Sequence, residues 1–256
     1  MISRKDKIQG KCAFAPGGRV IPHLFAVFFI LLFLIGCAVP RTPVGPEGRL
    51  DVITSVFESP AGLLPDDWAI EAGGEVREHI SITDKEGVPA IRVVNGEDPF
   101  IAVKRVQAML LATPFLKWAW HMTPHSAGLH PVRLMIGFHG GHPESASWGG
   151  EPFAWLGSAL PPHDRVLSIV FGDSALKRGS LVQPPGEGNA AALYTARGGM
   201  ENASQWWLED VDLSHLYARA WPGDELGRVQ LVFIGVAAAG GRAPSPGFFS
   251  EILLYR

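Results

Sequence analysis

The chain has 256 residues with 22 basic and 25 acidic side chains, and a mean hydropathy of +0.15. Residues 1–36 hold five of the basic residues and one acid, so residues 37–256 carry 17 basic against 24 acidic side chains, a net charge of −7. Such a balance argues against nucleic acid as a partner and against an added electrostatic grip on anionic lipid. The only cysteines are Cys12 and Cys37. No disulfide can form within the body, whose stability must come from a core that eight Trp and fourteen Phe can supply.

The first 36 residues read as a secretory signal. Arg4, Lys5, Lys7, Lys11 and Arg19 precede an unbroken apolar run, Leu24 to Ile35, and Gly36 stands before Cys37. That run is shorter than the roughly 20 residues a spanning helix needs. Leu34-Ile35-Gly36-Cys37 resembles the lipobox of bacterial lipoproteins. The resemblance implies cleavage before Cys37, a diacyl group on its thiol and acylation of the new amino terminus. Acyl chains at ~0.8 kcal/mol per buried methylene would hold the body at a membrane. Ala38 stands where Asp marks inner-membrane retention in enterobacteria-like systems, which points to the outer membrane of a bacterial envelope.

Residues 37–48, with three Pro and two Gly after Cys37, read as a tether, and 49–256 as a single domain. Within it, short runs rich in Val, Ile, Phe and Trp alternate with Pro, Gly, Asp and Asn. The expected strands are Leu50–Phe57, Val76–Thr83, Ala90–Val94, Phe100–Val106, Phe115–Met122, Val132–His139, Val166–Phe171, Ala192–Ala196, Gln205–Asp212, Val229–Ala237 and Phe248–Tyr255. Over Phe115–Met122 the apolar residues Leu116, Trp118 and Trp120 share one face, opposite Lys117 and His121. Val229–Ala237 is apolar on both faces, as a central strand is. One short helix is expected, Leu213–Ala220, capped by Asp212 and ended by Pro222-Gly223. The absence of repeated amphipathic helices excludes a parallel α/β sheet. The fold class expected is all-β, an antiparallel two-sheet sandwich of jelly-roll type like those of carbohydrate-binding modules.

The order of a Trp-x-Trp strand (Trp118-Ala119-Trp120), an apolar strand (Val132–Phe138), a Trp-rich strand (Gln205–Asp212), a short helix (Leu213–Ala220), a buried strand and a terminal strand is similar to the DUF3047 family of bacterial exported proteins. The similarity covers roughly Asp51 to Arg256. It implies a β-sandwich of carbohydrate-binding type and no established activity. Two departures stand out. His130-Pro131 replaces an acidic pair ahead of the second strand, and Ala238–Gly247 replaces an Asp/Asn-rich turn.

Several motifs invite chemistry. Gly172-Asp173-Ser174 after an apolar strand resembles the nucleophile block of GDSL esterases, and Asp212-Leu-Ser-His215 mimics their closing block. The short interval between the two leaves no room for that fold's helix–strand units, so Asp212 reads as a helix cap and no catalytic residue is assigned. Six of the nine histidines fall between His121 and His163, with His139-Gly-Gly-His142 the tightest pair. Their spacing matches no metal motif, so they read as solvated, and neither metal nor cofactor is assigned. His121 and His139 would approach only if their strands were neighbours. Glu144, Glu151, Glu201 and Glu209 are carboxylates that nothing in the sequence pairs for glycosidic cleavage. Trp68, Trp118, Trp120 and one of Trp206/Trp207 read as core. Trp148 and Trp155 flank a Gly-rich stretch and, with Trp207, are the candidate ligand-binding residues, because exposed rings stack on sugar faces. The expected function is ligand binding by a lipid-anchored envelope protein, the ligand a glycan or envelope polymer. The rival is an assembly module for another envelope protein.

Overall fold

Two β-sheets pack face to face, and the strands alternate side chains between a shared interior and an outer face. The structure is a computed structural model that describes residues 41–58, 64–76, 78–125, 128–142, 160–183 and 191–256. All of these lie in one unit, Pro40–Arg256. In chain order the elements are β1 (Thr42–Pro43), β2 (Leu50–Asp51), α1 (Thr54–Phe57), β3 (Trp68–Ala72), β4 (Ile80–Lys85), β5 (Val88–Val94), β6 (Phe100–Met109), β7 (Phe115–Met122) and β8 (Val132–His139). They continue with β9 (Arg165–Gly172), β10 (Leu181–Val182), β11 (Ala192–Gly198), β12 (Trp206–Asp212), α2 (Leu213–Ala220), β13 (Gln230–Ala238) and β14 (Pro246–Tyr255).

One sheet has eight strands in the order β1-β6-β13-β8-β9-β11-β10, with β3 also on β6. The other has six, β12-β7-β14-β5-β4, with β2 on β14. The two-sheet all-β sandwich is as expected. Pairing is antiparallel except at β1–β6 and β9–β11, which run parallel. Two strands match their expected bounds, β7 and β8, as does the helix α2. The Asp212 carboxylate accepts from the His215 N–H at 3.0 Å, which caps α2.

Three expectations are corrected. Leu50–Phe57 is not a strand. Asp51 Oδ1 accepts from the N–H groups of Ile53 (3.1 Å) and Thr54 (2.9 Å), and this turn converts the chain from β2 into α1. Among the described residues this four-residue helical turn stands beside the one short helix expected, α2. β3 was absent from the expected strands because Ile70, Glu71 and Ala72 are exposed on both faces and give no apolar alternation. It is held instead by pairing with Phe100–Lys104. Residues 41–48, expected to be part of a tether, lie on the body: β1 pairs with Val106 and Gln107, and Val44 packs on the core.

The interior follows from the alternation. Leu116, Trp118 and Trp120 of β7 meet Leu134, Ile136 and Phe138 of β8 and Leu167, Ile169 and Phe171 of β9. Trp118 and Trp120 are fully buried and meet edge to face at 5.5 Å. Each such side chain contributes roughly 1.5–3 kcal/mol by leaving water. Among the described residues no helix is long and apolar enough to cross a membrane.

Candidate binding face

The residues expected to carry function divide sharply. Cys37, Trp148 and Trp155 lie outside the described residues, as do Glu144 and Glu151. Trp207 is described. It pairs with Trp120 across β12–β7 and so points inward, packing against the core. The Arg197 guanidinium covers its ring at 3.5 Å, and its Nε1–H donates to Asn202 O at 2.9 Å. Trp206 points to the opposite side, and its Nε1–H donates to Lys85 O at 3.2 Å.

Beside Trp207, Glu209 also faces inward, although it is a carboxylate. Burial is tolerated because Arg197 donates to it from the opposite sheet and Arg178 reaches it at 3.2 Å. A bulge between Thr195 and Arg197 turns Arg197 inward to make that contact. Glu209 is thereby committed to joining the sheets. Ser174 is equally committed: its Oγ accepts from the Leu176 N–H and starts a short 3₁₀ turn. Among the described residues no hydrogen bond joins Ser174 to a histidine, and Asp212 caps α2 as expected.

The histidines depart from the solvated reading. His121 and His139 do not meet, because β7 and β8 belong to different sheets. His121 is 1 % exposed, lodged between Trp206 and Phe248 at 5.7 and 5.6 Å. Burial and nearby Lys85 lower its pKa, against the opposing pull of Glu86. His130 is wholly buried, its Nδ1 accepting from the Val132 N–H at 3.1 Å. Burial pushes its pKa down to about 3, so the ring is neutral. Since that Nδ1 already accepts a proton donor, ligation through the other nitrogen would require an imidazolate. This disfavours a metal at the neighbouring His125–His130 pair. No group of three or more metal-ligating side chains is gathered among the described residues.

At one end of the sandwich, Arg165 grips Asp224 through two hydrogen bonds of 2.9 Å, and the Tyr217 hydroxyl donates to the same carboxylate at 2.7 Å. Burial would raise the Asp224 pKa, but these bonds outweigh it and hold the pKa low. The cluster is internally satisfied and fastens the loop after α2.

An unsatisfied charge lies elsewhere. Pairing places Glu71, Ile101, Ala237 and Arg133 side by side across β3, β6, β13 and β8 on the outer face of the eight-stranded sheet. The next row on that face is Ala69, Val103, Gly235, Met135 and Ser168. Small residues make a low floor, and a trough of about 620 Å³ opens there, lined also by Ala72, Pro99 and Phe100. Arg133 stands in it, partly buried, with no hydrogen bond or ion pair among the described residues and its Nε sealed from water. Burial lowers its pKa. Farther along the face, Phe233 lies across Gly137 and meets the edge of His163 at 5.3 Å, with Leu160 and Ala191 packed nearby. Sequence reasoning missed Arg133. The signal was a charged residue on a strand whose neighbour, Val229–Ala237, is apolar on both faces.

No protein-family model matches the chain, and no curated protein matches it. The resemblance to DUF3047 therefore stands on its motifs alone. Among solved structures, the chain is similar to a family 11 carbohydrate-binding module from Clostridium thermocellum in complex with a β-1,3-1,4-mixed-linked tetrasaccharide. The TM-score is 0.43 and the identity 8 %, over 82 % of this chain and 97 % of that one. It is also similar to the xyloglucanase domain of NopAA, a type three effector from Sinorhizobium fredii, in complex with cellobiose. There the TM-score is 0.42 and the identity 9 %, over 83 % and 99 % of the two chains. A third is the mannan-recognising module TmCBM27, at TM-score 0.32 and 12 % identity, over 81 % and 95 %.

Proposed function

We propose that this protein is a binding module of the bacterial cell envelope, anchored by lipid on Cys37, whose sandwich takes an extended glycan or envelope polymer on the outer face of the eight-stranded sheet. One observation carries the reading: Arg133, a partly buried guanidinium without a partner among the described residues, stands in an open trough. An unpaired charge on an apolar floor lowers stability, and such a group is retained at sites where a ligand completes it. The trough is open rather than enclosed by a small pocket's walls, which suits a polymer more than a free metabolite. Its described walls hold no Trp. The stacking rings proposed for the ligand are Trp148 and Trp155, whose segment leaves the described structure at His142 and rejoins it at Leu160, packed against this same face.

The aliphatic walls favour a second reading, a peptide segment of another envelope protein laid in the trough. The test is binding of the full-length protein to a panel of envelope glycans, alongside Trp148→Ala, Trp155→Ala and the trough-filling Ile101→Trp. Saturable binding that Ile101→Trp abolishes without loss of fold supports the first reading. Binding untouched by all three variants rules out this face. No binding across the panel moves the search to a protein partner.

A further inference from the structure

We propose that the trough selects an acidic polysaccharide, one bearing carboxylates, over a neutral one. This rests on the reading that the outer face of the eight-stranded sheet binds a polymer, and it names the class of that polymer.

The argument is one of local charge. The body as a whole is acidic, so no general attraction draws an anion to it. The trough is the exception. Arg133 makes no hydrogen bond or ion pair among the described residues. The acid on its row, Glu71, lies three strands away, about 14 Å at ordinary strand spacing, which is too far for the two side chains to pair directly. The face thus sets one cation, without a partner among the described residues, on an apolar ground. A guanidinium meets a carboxylate through two parallel hydrogen bonds, a geometry that a neutral hydroxyl cannot match. The low floor of Ala237 and Gly235 lets a sugar ring approach the sheet closely.

The test compares two polymers with one backbone: polygalacturonate and its fully methyl-esterified form, titrated into the full-length protein by calorimetry. Phosphatidylglycerol vesicles serve as a second anionic surface. The expected result is that polygalacturonate binds about tenfold or more tightly than the ester. The preference should weaken as salt is raised. Arg133→Gln should remove it, and Arg133→Lys should retain part of it. Circular dichroism on each variant separates lost charge from lost fold. Equal binding of acid and ester, unchanged in Arg133→Gln, overturns the inference while leaving glycan binding standing. Binding of neither polymer overturns both. Binding of vesicles but not of polygalacturonate overturns it in favour of a lipid surface.

Discussion

The two outer faces of the sandwich handle charged side chains in opposite ways. On the six-stranded sheet, His121 is enclosed by Trp206 and Phe248, and the β4–β5 turn closes over it. There Glu86 lies 3.6 Å from the ring, and Lys85 stands over Phe248. Farther out, Lys117 pairs with Glu251 at 3.2 Å and the Tyr255 hydroxyl donates to Asp210. The charged groups of that face are paired, while the ring nitrogens of His121 are enclosed without hydrogen bonds. On the eight-stranded sheet, small residues keep the floor low and Arg133 is left without a partner among the described residues. The first arrangement stabilises the fold. The second gives up stability and, on the proposed reading, gains a place for a ligand. A face whose charges are paired among its own residues has less to offer a partner than one with a charge left unanswered among the described residues.

The largest expected effect comes from beneath both faces and sets their common baseline. His130 has a folded pKa of about 3 against 6.5 for a free histidine. Between those values the unfolded chain binds a proton that the native ring does not. Stability is therefore full above about pH 6.5 and falls as pH drops toward 3, by a few kcal/mol in all. His130→Asn, which keeps an acceptor for the Val132 N–H, should flatten that part of a denaturation-against-pH profile. An unchanged profile would assign the acid sensitivity to the faces instead. His121→Ala should cost about 2–3 kcal/mol in urea unfolding, since it removes the ring packed between Trp206 and Phe248. Gly137→Ala should cost about 1–3 kcal/mol, because the added methyl would fall within the Phe233 ring. Arg133→Leu should change stability by less than about 1 kcal/mol, with a gain more expected than a loss, since it removes an unpaired, partly buried charge. A loss as large as that of His121→Ala would make Arg133 structural and erase the contrast. The smallest effect belongs to Glu86→Gln on the exposed turn, which should leave the melting curve unmoved.

Much of this fold was legible because its strands obey simple alternation. β7 and β8 announced themselves by apolar residues at every second position, and α2 by Asp212 before it and Pro222 after it. β3 was not legible, since its exposed residues carry no pattern and only β6 holds it in place. The Asx turn at Asp51 was hidden within an apolar run. The site was harder still. Trp207 was chosen for exposure, but adjacent strand residues face opposite ways, and pairing with Trp120 fixed it inward. Arg133 became visible only once β3, β6, β13 and β8 stood side by side, because its isolation depends on four segments distant in sequence.

The measurement that bears most directly on the account follows methyl resonances of the full-length protein during titration with a glycan. Met135 and Ile101 report on the trough, and Leu208 on the outer face of the six-stranded sheet. The account predicts saturable shifts at Met135 and Ile101 with Leu208 still, and no such shifts in Arg133→Gln. Shifts at Leu208 with Met135 and Ile101 unmoved would place the ligand on the other face and contradict it.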